Sequence, residues 1–442
     1  MGNSGKIFTP FRIIILGFAG IILLGTFILM LPFSSSDGVS THFGDALFTA
    51  TSAVCVTGLV VRDTASHWSL FGRAVILVLI QTGGLGIITV AASFSLLSGR
   101  KISLVQRSTM QKALSAQKVG GIVDLTRFII ISTFLIELVG ALLLMPFFVT
   151  RYGAKGIGMA VFHSVSSFCN AGFDVMGSST GEYSSLTSFT GNIGVNVVIM
   201  LLIFIGGIGF LTWDDVITNK LRFKRYRLQS KIVLVTSLLL IIFPALMFFF
   251  YDLKDMPLNE RILSSLFQSV TARTAGFNTI NLNSLTAAGQ SVLIVLMLIG
   301  GSPGSTAGGM KTTTIAVLIA NAHSCFRQQG DAHCFKRRID NNTIRTASTL
   351  LLMYTVLCFG SASVISISEG IPFYQCLFET ASAIGTVGLT LGITTQLGGL
   401  AQGILIVLMF IGRVGGLTLI YAALKKETNT NSKLPLETVT VG

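Results

Sequence analysis

The 442 residues are 51% hydrophobic and only 11% charged, with a formal net charge of +13. Soluble domains carry about 25% charged residues, so this chain has too few to solvate a large surface, and a soluble globular fold is excluded. The positive charge gathers between apolar runs, which makes it a topological signal rather than a nucleic-acid surface.

Eight apolar runs approach or exceed the roughly 20 residues that cross a bilayer. The first covers 12–33. Lys6 and Arg12 flank it as in a signal peptide, but the run is long for one and Leu31-Pro32-Phe33 is no small-residue cleavage site, so it reads as a span. The start, Met1-Gly2-Asn3-Ser4-Gly5-Lys6, lacks the Ser or Thr of a myristoylation signal. The others cover 71–97 (softened by small residues), 128–149, 191–213, 232–251, 291–320, 347–367 and 400–424.

Three basic loops separate pairs of spans: Arg100, Lys101, Arg107, Lys112 and Lys118; Lys220, Arg222, Lys224, Arg225, Arg227 and Lys231; Arg327, Lys336, Arg337, Arg338 and Arg345. Lys425, Lys426 and Lys433 follow the last span. Segments 34–40, 177–190 and 251–261 are poorer in basic residues or mixed in sign. The positive-inside rule places both termini and the three basic loops in the cytoplasm of a cell-membrane protein. Six cysteines show no disulfide spacing, and His323, Cys325, His333 and Cys334 match no standard zinc pattern.

An internal repeat organises the chain. Its four copies are Cys55-Val56-Thr57-Gly58-Leu59, Cys169-Asn170-Ala171-Gly172-Phe173, Arg273-Thr274-Ala275-Gly276-Phe277 and Gly385-Thr386-Val387-Gly388-Leu389. The glycines are 114, 104 and 112 residues apart. A short, semi-apolar stretch precedes each and is too short to span, so it reads as a re-entrant half-helix. A longer apolar segment follows, with a second glycine cluster at 83–86, 206–209, 300–304 and 412–416. The expected fold is an all-α membrane protein of four pseudo-symmetric span–pore-loop–span units, 1–98, 99–217, 218–321 and 322–442. Eight transmembrane helices and four half-helices would surround a central pore.

The chemistry explains the pattern. Irregular backbone inside a bilayer survives only where protein buries it or water lines it. A half-helix that stops at the centre aims its C-terminal carbonyl dipoles there and favours a cation. Glycine lets the chain turn so that carbonyl oxygens replace the ion's hydration shell. The alternative for such glycines is plain interhelical packing.

These four motifs resemble the filter sequences of the Trk/Ktr/HKT superfamily of potassium transporters, over nearly the whole chain. The closest resemblance is to KtrB-type membrane subunits, since Trk-type subunits usually add two spans before the first unit. The resemblance implies a potassium filter at Gly58, Gly172, Gly276 and Gly388. A serine in place of the first of these goes with sodium-selective members; here all four are glycine. Cys55 departs from the family's expected threonine. The resemblance also implies that Gly300-Gly301-Ser302-Pro303-Gly304-Ser305-Thr306-Ala307-Gly308-Gly309-Met310-Lys311 is an intramembrane gating loop. Independently, Pro303 and the glycines break the helix there, so the freed backbone lines water or is covered by protein; the alternative is a kinked span.

Arg413 lies inside the last span, where a charge costs about 3 kcal/mol or more. It must face water, a partner or the pore. The resemblance implies a positive barrier beside the gating loop; the alternative is an ion pair with Glu137 or Glu379. A structural hydrogen-bonding group is the further reading of either carboxyl, and the preferred one for Glu137. Arg273 should brace its loop, because it would repel a cation.

Other chemistry is excluded. Met310 separates Lys311 from the last glycine, so 304–312 is not a phosphate-binding loop. Asp214 and Asp215 are adjacent and face different sides of a helix, so they form no catalytic pair, and no enzyme motif appears. The closer rival is a sodium- or proton-coupled cation symporter; the four motifs hold few ionisable residues, which favours a channel-like path. The resemblance further implies a homodimer, a cytoplasmic KtrA-type nucleotide-binding ring, sodium as an activator and no covalent cofactor. The chain has no nucleotide-binding domain of its own, and the tail 434–442 is expected to pack against a dimer mate.

Overall fold

The computed structural model describes residues 10–97, 102–113, 120–220 and 222–423. Arg100, Lys101, Lys118, Lys425, Lys426 and Lys433, the start 1–6 and the tail 434–442 lie outside the described residues.

One pattern recurs four times: a long helix, a short helix, then a helix interrupted at glycine. The first set is α1 (Pro10–Leu29), α2 (Phe43–Cys55), and α3 (Leu70–Leu85) with α4 (Ile87–Leu97). Ser69 starts α3 by accepting the Gly72 N–H at 3.1 Å. The axis turns by 99° where α3 gives way to α4 at Gly86. A connecting helix, α5 (Leu104–Ala113), leads to α6 (Ile122–Tyr152), α7 (Lys155–Phe168), the four-residue α8 (Gly177–Thr180), and α9 (Ile193–Gly207) with α10 (Phe210–Asn219). The turn between α9 and α10 is 98°.

The third set is α11 (Leu228–Met247), which continues as a π-helical turn over Phe248–Asp252, α12 (Leu258–Thr271), α13 (Ala287–Leu298) and α14 (Thr312–Phe326). A hairpin of β1 (His333–Cys334) and β2 (Arg337–Arg338) follows; it is the one sheet among the described residues. The last set is α15 (Asn341–Glu369), α16 (Phe373–Gly385), and α17 (Gly399–Val414) with α18 (Gly416–Ala423).

Among the described residues four helices, α1, α6, α11 with its π turn, and α15, are long and apolar enough to cross a membrane, or six if each bent pair is one span. The expected runs 291–320 and 400–424 do not form single helices. Residues 299–311 and Gly415 interrupt them, because every second glycine cluster breaks its helix, not the third alone. The long helices turn apolar side chains such as Phe27, Leu135, Phe243 and Leu352 outward. The C-terminal halves of α2, α7, α12 and α16 are buried despite their Ser and Thr content.

Glycine sets the depth of this packing. A Cβ at Gly83, Gly206 or Gly412 would meet the backbone oxygen of Val54, Phe168 or Ile384 respectively. These oxygens stand at one repeated position, four residues before Gly58, Gly172 and Gly388. Close approach of this kind needs a residue without a side chain. Gly206→Ala is therefore expected to cost about 1–3 kcal/mol and to lower the unfolding midpoint of the detergent-solubilised protein. Gly20→Ala, where a Cβ meets nothing within 4 Å, serves as the unaffected control.

Candidate functional site

Each short helix ends in the same way. Val56, Asn170, Thr274 and Thr386 adopt left-handed backbone with φ of 57°, 57°, 69° and 51°. Three of the four are β-branched, for which this conformation costs on the order of 1–2 kcal/mol. Returning N–H groups cap the turn: Thr57 N–H donates to Ser52 O at 2.8 Å, Ala171 N–H to Ser166 O at 2.8 Å and Val387 N–H to Ser382 O at 2.9 Å. The strained residue stands two positions before each repeat glycine.

The four glycines converge. Their φ angles are 90°, 68°, 81° and 94° at Gly58, Gly172, Gly276 and Gly388. A Cβ at Gly58 would stand 2.5 Å from the Ala171 oxygen, and one at Gly172 2.7 Å from the Ala275 oxygen. At Gly276 it would meet the Val387 oxygen, and at Gly388 the Thr57 oxygen. Each glycine thus touches the next segment in chain order, and the fourth touches the first, closing a ring. Cys55, Val56, Thr57, Asn170, Ala171, Thr274, Ala275, Thr386 and Val387 are all buried around it.

Side chains behind the ring hold it. Ser52 and Ser382 accept the Gly58 and Gly388 N–H groups at 3.1 and 3.0 Å. Ser166 and Thr271 donate to the carbonyls of Phe173 and Phe277 at 2.7 and 2.6 Å. The buried hydroxyl oxygens of Thr57, Thr274 and Thr386 have no protein partner. On one side of the ring lies a cavity of about 140 Å³, lined by the four glycines together with Val60, Asp174, Asn278 and Thr390. Those four side chains occupy the position two after each glycine.

Loop 300–311 packs against the other side. A Cβ at Gly308 would meet the Thr386 side chain, and one at Gly309 would stand 2.8 Å from the Gly385 oxygen. Ser302 N–H donates to Gly207 O at 3.0 Å, Phe210 N–H to Gly304 O at 2.7 Å and Gly309 N–H to Gly412 O at 3.1 Å. A Cβ at Gly300 would stand 2.5 Å from the Gly308 oxygen, and one at Gly301 would meet Ala307. Pro303 turns the chain, and Ser305 donates to the Ser302 oxygen at 2.7 Å. Lys311 Nζ folds back on the oxygens of Ala307 and Gly308 at 2.8 and 3.1 Å.

Arg413 reaches this loop from α17. It donates to Thr306 O, to Gly83 O and, at 3.0 Å, to Gly84 O. The alternative of an ion pair with Glu137 or Glu379 fails, since no such pair exists among the described residues. Glu379 instead accepts from Thr390, from Thr394 at 2.8 Å and from Leu391 N–H at 3.3 Å. Glu137 accepts from Gln81 at 3.1 Å. Arg273 points away from the ring and donates to Ser237 Oγ at 3.0 Å, a brace as expected.

Sequence reasoning named the ring residues but missed their supports. Ser52, Ser166 and Ser382 share one register, six before three of the four glycines (Val270 stands there in the third), and superposing the repeats on the glycines exposes them. The roles of Gln81, Gly83 and Gly84 carry no local signal.

A family profile described as "TrkH: Cation transport protein" matches residues 7–434. The chain is 39% identical to the potassium/sodium uptake protein NtpJ of Enterococcus hirae, across 99% of this chain and 98% of that protein. It is 37% identical to Ktr system potassium uptake protein B of Bacillus subtilis, across 97% of this chain and 96% of that protein. The crystal structure of the potassium transporter TrkH from Vibrio parahaemolyticus superposes with a TM-score of 0.73 at 18% identity, over 96% of this chain and 87% of that one. That likeness speaks for the fold.

Proposed function

The chain belongs to the TrkH family of cation transport proteins, and from that premise we propose that it is the ion-conducting subunit of a potassium uptake system. It is a transport protein, not an enzyme. The observation that carries the reading is the closed ring of four glycine-centred segments. Buried carbonyl oxygens and the unpartnered hydroxyls of Thr57, Thr274 and Thr386 supply what a dehydrated cation requires, with no carboxylate among the ring motifs. The ion sites would centre on Gly58, Gly172, Gly276 and Gly388.

In this reading the four helix sets are the units 1–98, 99–217, 218–321 and 322–442. Each contributes two spans and one half-helix, and both termini lie in the cytoplasm of the cell membrane. Loop 300–311 is the gate, closing the path directly below the ring, and Arg413 and Lys311 add a positive barrier there. The Ktr-system names of relatives support further components of such a system as partners; we propose that these are a second copy of this chain and a cytoplasmic nucleotide-binding ring.

Sodium is the second ion to consider, because one relative is named for potassium and sodium together. We propose it as an activator, with sodium-coupled symport as the alternative. Expression in bacteria lacking their own potassium uptake tests the reading. Growth at low potassium supports it, and a well-expressed chain that never restores growth, alone or with a Ktr regulatory subunit, refutes it. Growth that depends steeply on sodium favours coupling.

A further inference from the structure

Glu137 is an intramembrane carboxyl that the proposed conduction path does not use. It sits on α6, 5% exposed, and no cationic side chain among the described residues pairs with it. Such a group is costly inside a membrane and is retained where it has work to do. Its carboxylate accepts from Gln81 Nε2 at 3.1 Å. The Cys169 thiol lies 3.8 Å from the same carboxylate and 3.6 Å from Gln81 Oε1. The backbone oxygen of Glu137 accepts from Ser164 on α7 at 2.6 Å.

These contacts continue into the gate loop. The Cys169 sulfur fills the space a Cβ at Gly84 would need, 2.6 Å away. The Gly83 and Gly84 oxygens accept from Arg413, which also donates to Thr306 O. Thr306 Oγ1 then donates to Phe168 O at 3.1 Å, immediately before Cys169. The chain of contacts closes on itself around the base of the second ring segment, and it includes one residue of loop 300–311.

The third set supplies an independent parallel. Arg273 and Cys169 both stand three residues before their ring glycine. Arg273 is tied to Ser237 on α11, the long helix preceding its own short helix. Cys169 is tied to Glu137 on α6 in the same relation. Two different chemistries anchor one structural position.

We infer that Glu137 is a positioning residue for ion discrimination: with Gln81 it fixes Cys169, and through Cys169 the second ring segment and the seat of Arg413. The inference rests on the potassium-filter reading. It predicts that Glu137→Leu weakens potassium-over-sodium discrimination about two- to thirtyfold, while Glu137→Gln, which keeps a partner for Gln81, stays within about twofold. Gln81→Leu produces the same loss, and the double variant loses no more than the worse single, because both act on one contact.

The measurement is rubidium uptake into liposomes with potassium or sodium as competitor, together with the shift in unfolding midpoint that each salt gives the purified protein. The second readout needs no open gate. A role confined to packing would lower the midpoint in every salt and leave the discrimination ratio alone. Folded Glu137→Leu protein with an unchanged ratio, or additive losses in the double variant, overturns the inference. Should Glu137→Leu fail to fold, Gln81→Leu alone decides. A wild type that prefers neither ion in either readout refutes the functional reading itself.

Discussion

Gly388→Ala protein is expected to fold, insert and lose its preference for potassium over sodium by at least about tenfold, or roughly 1.4 kcal/mol of differential binding. Gly388 has φ of 94°, which L side chains rarely adopt. The added methyl would also collide with the Thr57 carbonyl oxygen, a ring atom of the first segment. Only that oxygen or the Gly388 backbone can yield, and either shift spoils the carbonyl geometry that, in the proposed filter, replaces hydration. Uptake in liposomes with competing ions checks the result. The same substitution at Gly392, whose φ is also positive but where a Cβ meets nothing within 4 Å, separates backbone strain from the collision.

Arg413→Gln is expected to raise basal rubidium flux by up to about a hundredfold. A cation passing within roughly 5 Å of the guanidinium meets on the order of 3 kcal/mol of repulsion at an effective dielectric near 20, and 1.36 kcal/mol is tenfold in rate. Removing the guanidinium also frees loop 300–311 from Gly83 and Gly84, to which Arg413 ties it. Deleting 304–308 should raise flux as well, since those residues hold the loop to α9, α10 and Arg413. Unchanged flux in both variants would mean that the loop is not the barrier.

The sequence revealed the fourfold plan because glycine has few substitutes where backbone must turn against backbone. Gly58, Gly172, Gly276 and Gly388 were legible for that reason, and so was the break at Pro303. The helix breaks at Gly86, Gly209 and Gly415 lie within glycine clusters already evident, but glycine in a membrane helix serves packing as often as breaking, so the clusters alone did not decide. The left-handed residues Val56, Thr274 and Thr386 were illegible, because local preference opposes β-branched residues there and only the surrounding packing imposes them. The partners of Arg413 were hidden for another reason. It binds backbone oxygens more than a hundred residues away, and a backbone acceptor leaves no mark in sequence.

The most direct test of the central claim is rubidium uptake into liposomes holding the purified wild-type chain, with potassium and sodium as competitors. A four-glycine potassium filter predicts that potassium suppresses uptake, that sodium at equal concentration does not, and that Gly58→Ser narrows the difference. If sodium competes equally with potassium, in the wild type and in the 304–308 deletion variant whose gate is open, the ring does not select potassium.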